Sequence, residues 1–194
     1  MNLLSKNLIQ KNSEWKRDVL LPFLKPGEKV LDFGCGDLTL AKSLKDKIPS
    51  LKMTGIDVVD FKNSDKNIDF KKYDGKKIPF KDNAFDTIIS FYVFHHCDNA
   101  LESYKECLRV AKRVIFIESV KRTPLEVPMM MFLDWIFNIW KSKEISLPFQ
   151  FYSEKEWERE FKKNKVKKIK KRNISSSFFR SLPIGGQVVF ETIK

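Results

Sequence analysis

The stretch from Lys29 to Ala41, Lys-Val-Leu-Asp-Phe-Gly-Cys-Gly-Asp-Leu-Thr-Leu-Ala, constrains this chain more than any other. Val30, Leu31 and Phe33 make a short apolar run suited to a buried strand, Gly34 and Gly36 punctuate a turn, and a helical pattern starts near Asp37. A strand, a tight glycine loop and a helix in that order let backbone pass close to a ligand, where a Cβ would obstruct it. Asp57 closes the next strand-like run, Leu51-Lys-Met-Thr-Gly-Ile-Asp57, at the distance expected of a ribose-binding carboxylate. Together these features point to a nucleoside cofactor.

The flanking charges narrow the choice. A dinucleotide site wants a third glycine where this chain has Leu38, and Asp37 would oppose a pyrophosphate on the helix N-terminus. S-adenosylmethionine carries no phosphate and presents a sulfonium and an ammonium, so carboxylates at Asp32 and Asp37 suit it. The spacing Asp32-Phe33-Gly34-Cys35-Gly36-Asp37-Leu38 resembles the first motif of the class I S-adenosylmethionine-dependent methyltransferases of the type 11 kind, Asp/Glu-x-Gly-x-Gly-x-Gly, from which Leu38 departs. Ile78 to His96, with its Pro-Phe, Phe-Asp and terminal His elements, resembles the stretch that family carries across its fourth strand. The resemblance implies a cofactor site made by Asp32, Phe33, Gly34, Cys35, Gly36, Asp57 and Val58, with Asp74 and Gly75 after the third strand near the adenine and Ser90 and Phe91 on the border.

The remaining pattern predicts an α/β chain with a Rossmann-like, seven-stranded, doubly wound sheet, its last strand antiparallel, and a helical insertion after strand five. Residues 1–194 read as a single domain. Residues 5–21 are patterned as an amphipathic helix ended by Pro22, and strand and helix are expected to alternate five times. The second helix, over 60–66, is expected to shrink to a turn or two. Asp98 or Asn99 is expected to cap the helix that follows the histidines, and Ser153 with Glu156 to form a capping box. Residues 121–152 break the rhythm as a helical lid. Within it Val127 to Trp140 is strongly apolar, with Asp134, Asn138 and Lys141 as a narrow polar stripe, so it is expected to bury most of its circumference. It could cap an apolar pocket, lie on a membrane surface, form a dimer contact or simply pack in the core. Ser175 to Arg180 is a connection where specificity could reside.

Methyl transfer from a sulfonium needs the reactants held in line, with a base only where the acceptor must lose a proton. His95 and His96, the only histidines, are the catalytic candidates beyond the fourth strand, with Tyr92 beside them and Glu118 as a weaker one. No metal site is expected, because adjacent histidines lack a spaced third ligand. The three cysteines form no Cys-x-x-Cys pair, which with no visible signal peptide suggests a reduced, cytoplasmic setting. A net charge of +12 would admit an anionic partner, yet much of the excess lies in Lys162 to Arg172, which reads as a solvated, exposed strand with its helix approach. The expected partner is therefore a small, apolar or lipid-like methyl acceptor, with a peripheral membrane or lipid contact through 127–140 as an option. RNA methylation and a non-catalytic binding module are the alternatives.

Overall fold

The computed structural model describes residues 3–61, 65–138, 148–174 and 185–194. Helix α1 (Leu3–Leu20) runs into a single 3-10 turn at Leu21–Phe23, then β1 (Lys29–Phe33), α2 (Thr39–Lys47), β2 (Lys52–Asp57), β3 (Asp69–Lys72) and β4 (Phe85–Phe91). A second 3-10 turn, Phe94–His96, leads to α3 (Ala100–Val110), β5 (Ala111–Val120), α4 (Val127–Asn138), α5 (Glu154–Lys163), β6 (Lys168–Ile174) and β7 (Gly186–Ile193). The strands form one sheet in the order β3-β2-β1-β4-β5-β7-β6. Strands β1 to β5 are parallel, and β7 inserts between β5 and β6 antiparallel to both, as expected.

Alternation along each strand builds two cores. Leu31, Phe33, Ile88, Val114, Phe116 and Phe190 face one side, under α3 and α5, with Tyr104, Trp157 and Phe161. Val30, Ile89, Phe91, Ile115, Ile117 and Val189 face the other, under α1 and α2. A period of two thus covers both faces of the sheet, which is why the central strands read as continuous apolar runs.

The fivefold alternation of strand and helix is not met. Helix α2 links β1 to β2 and α3 links β4 to β5, but among the described residues no helix joins β2 to β3 or β3 to β4. Between Asp60 and Asn67 the first of these connections has Phe61 as its one apolar residue in sequence. The second is pinned from outside, because the Arg109 guanidinium donates to the carbonyls of Ile78 and Phe80 at 2.9 Å each and Glu106 accepts from the Ile78 N–H. Asn99 caps α3 by accepting from the Glu102 N–H at 3.1 Å, and Ser153 and Glu156 close the capping box on α5.

Strand β6 is an exposed edge, as its lysines suggest. Lys170 reaches Glu191 and Lys171 reaches Glu154 and Glu158. Helix α4 departs from expectation: Met130 is buried, whereas Met129, Phe132, Trp135 and Ile136 are 46%, 54%, 45% and 39% exposed. Its apolar circumference is therefore only partly covered. Trp140, Lys141 and the Ser175–Arg180 connection lie outside the described residues, as does the Asn138 side chain.

Candidate active site

The glycine loop crosses the carboxyl ends of β1 and β2. Gly34 and Cys35 both donate their N–H to the Ile56 carbonyl, at 2.9 and 3.1 Å, and Gly36 donates to Asp57 Oδ2 at 2.8 Å. Asp57 Oδ1 accepts from the Val59 N–H at 3.0 Å, so this carboxylate ties the loop to the end of β2. Gly34 holds φ +73°, and a Cβ there would lie 2.5 Å from both Val93 methyls. Glycine is required at that position by conformation and by contact.

Asp32 is the buried charge of the site. Its side chain sits on the α1 face of β1, 2% exposed, and its Oδ2 has no hydrogen-bond partner among the described residues. Burial lifts its pKa to about 7, opposed by the Lys16 ammonium and reinforced by Asp57 and Asp37. Asp57 is raised as well, chiefly by burial and against its backbone hydrogen bonds. Beside them Phe91 packs edge-on against Trp15 and Tyr92, with Lys16 Nζ 4.9 Å from its ring centre. Trp15 is legible in the sequence only as part of the apolar stripe of α1, which does not say what it packs against, and Lys16 carries no signal there.

The other expected cofactor residues divide. Val58 is 39% exposed and supports Gly75, whose Cβ position is 3.2 Å from its methyl, while Asp74 turns the chain by accepting from Lys76 and Lys77. Ser90 is buried at the carboxyl end of β4 with its hydroxyl unpartnered among the described residues. Cys35 is buried and its thiol pKa is driven up by that burial. Phe33 points to the opposite core, stacked on Phe94 at 5.5 Å, so only its backbone borders the loop. Tyr92 adopts φ +57°, and its buried hydroxyl has no partner among the described residues.

The histidines sit at the far side of the same crevice. Glu118, near the end of β5, accepts from the N–H groups of Val93 and Phe94 through Oε1 (3.0 and 2.8 Å) and meets His95 Nδ1 through Oε2 at 2.6 Å. His95 Nε2 lies 3.3 Å from Asp134 Oδ1 on α4, and His96 Nε2 lies 3.7 Å from the same oxygen. Burial, the largest single influence on His95, pulls its pKa down, but Glu118 and Asp134 together outweigh it and hold the imidazole up at about 9. Folding thus brings Asp134, remote in the sequence, beside both histidines.

A family profile described as a methyltransferase domain matches residues 31–114, from the glycine loop through both histidines. Over that segment the chain is similar to methyltransferases. Among curated relatives, a demethylmenaquinone methyltransferase of Thermotoga maritima is 32% identical over 108 residues, covering 53% of this chain and 47% of that protein. A cycloartenol-C-24-methyltransferase of Arabidopsis thaliana is 30% identical over 102 residues, covering 46% and 30%. The chain spans at most about half the length of these relatives. A methyltransferase structure from Aquifex aeolicus shares the fold, with a TM-score of 0.62 at 23% identity over 91% of this chain and 88% of that one. S-adenosylmethionine would fit what is present: a buried carboxylate at Asp32 with an oxygen unsatisfied among the described residues, a glycine cradle and an acidic end to β2. An open, lysine-rimmed depression at Lys29, Lys45 and Lys52 lies at the amino ends of β1 and β2, away from this crevice.

Proposed function

We propose that the chain transfers a methyl group from S-adenosylmethionine to a small, apolar or lipid-like acceptor held between the crevice and α4. The observation that carries the reading is Asp32, a fully buried carboxylate with an oxygen unsatisfied among the described residues, which a cationic ligand would compensate. When bound, the cofactor supplies an electrophilic methyl carbon on a sulfonium. Asp32 would hold its ammonium, Asp57 its ribose hydroxyls, and Asp74 with Gly75 its adenine edge, while Ser90 and Phe91 border the methyl.

The rest of the chemistry falls to the acceptor side. His95 is engaged at both ring nitrogens, so we assign it a positioning role, with the Tyr92 hydroxyl orienting the acceptor. Exclusion of water falls to α4 through its inward face, where Met130 is buried. The names of two relatives specify demethylmenaquinone and cycloartenol, lipophilic acceptors that support the same class here. A lipid acceptor would be met at a membrane surface, and the exposed Phe132 and Trp135 suit that contact.

Methyl-labelled cofactor incubated with the purified chain and with lipid, small-molecule and RNA pools tests the reading. Label is expected in the lipid or apolar small-molecule pool. Label in RNA alone overturns the acceptor class, and failure to bind the cofactor at millimolar concentration in calorimetry overturns methyl transfer altogether.

A further inference from the structure

We propose that His95, His96 and Asp134 form a three-ligand site for a divalent transition metal such as zinc, at the carboxyl end of β4 beneath α4. One ligand atom from each lies within 4.8 Å of the others. The spans from His95 Nε2 and His96 Nε2 to Asp134 Oδ1 are 3.3 and 3.7 Å. Zinc bonds of about 2.0–2.2 Å arranged tetrahedrally set ligand atoms roughly 3.3–3.6 Å apart, so these two spans already approximate the required geometry.

Independent support comes from behind the first histidine. Glu118 Oε2 contacts His95 Nδ1 at 2.6 Å while Oε1 is fixed by two backbone N–H groups, which directs Nε2 at the cluster. A carboxylate on the far nitrogen of a histidine is the arrangement that orients imidazole ligands and raises their basicity toward a metal. The His95 ring is also held against Phe151, with centroids 5.1 Å apart and planes at 21°. Two imidazoles and one carboxylate favour zinc, iron or cobalt over magnesium and calcium, which prefer oxygen ligands. Three protein ligands leave a coordination position for water or an acceptor oxygen. The inference goes beyond methyl transfer and does not require it.

The full chain, stripped with chelator and kept free of S-adenosylmethionine, is titrated with cobalt(II). One equivalent is expected to give a saturable visible absorption that zinc abolishes, and both His96→Ala and Asp134→Ala should lose it. Glu118→Gln should retain the stoichiometry with affinity lowered about 10–100-fold. Circular dichroism of each variant separates loss of ligand from loss of fold. Absence of a saturable band in the unmodified chain overturns the site, as does a band that survives in folded His96→Ala and Asp134→Ala. Because cobalt uptake is read without cofactor, its failure leaves methyl transfer standing.

Discussion

Leu38 occupies the N-cap of α2 at φ +63°, a conformation glycine takes freely and leucine takes at a cost of about 1 kcal/mol. Its side chain is wholly buried over β2, where a Cβ on Gly55 would come within 2.5 Å of Leu38 Cδ2 and 2.7 Å of Cys35 Sγ. Burial of a leucine stabilises by roughly 1.5–3 kcal/mol, so packing outweighs the backbone strain. The departure from the family motif is therefore a fitted pair, Leu38 on Gly55. Leu38→Ala is expected to destabilise the chain by about 2–5 kcal/mol in urea unfolding, since the cavity opens while the strained backbone remains. Asp32 supplies a second expectation. With its pKa near 7 in the cofactor-free chain, the ionised form that a cation needs becomes scarce below neutrality. Cofactor affinity measured by calorimetry should tighten up to about tenfold per pH unit from pH 5.5 toward 7, and Asp32→Asn should remove most of that slope. The motif made both residues conspicuous in the sequence. The Gly55 partnership was hidden, because two strands had to be aligned before Leu38 had anything to rest on.

Three elements meet at His95: the turn after β4, β5 through Glu118 and α4 through Asp134. The native imidazole holds its proton up to about pH 9, against about 6.5 for an unfolded histidine, so this tie contributes fully below 6.5 and is lost as pH rises through 9. In chelator, stability to urea should fall across that window, and His95→Gln should flatten the fall. Asp134→Ala should speed amide exchange in residues 127–136 more than in β4 or β5, because α4 loses its polar anchor. Strands, capping residues and α1 were legible from periodicity and turn chemistry. The polar residue on α4 was visible too, but its partner was not: Asp134 lies 39 residues from His95, and no local pattern encodes that approach. The shrunken link before β3 was legible in its polar sequence, whereas the helix-free link after β3 was not, since Arg109 on α3 is what shapes it.

Across the molecule, a net charge of +12 accompanies an apolar helix that remains half uncovered. Among the described residues no helix is long and apolar enough to cross a membrane. Sedimentation with vesicles containing anionic lipid should bring the chain down. Phe132→Ser with Trp135→Ser should weaken that binding at every salt concentration, whereas raised salt alone should weaken it only through the charge contribution. Strand β7 carries a different lesson, through its place between β5 and β6. A ribosome delivers β6 first, and until β7 emerges that lysine-rich ribbon has no lateral hydrogen bonds to the nascent sheet. Its final docking must therefore wait for later translation, and a released chain truncated before Gly186 should leave β6 open to proteases while the parallel strands are protected.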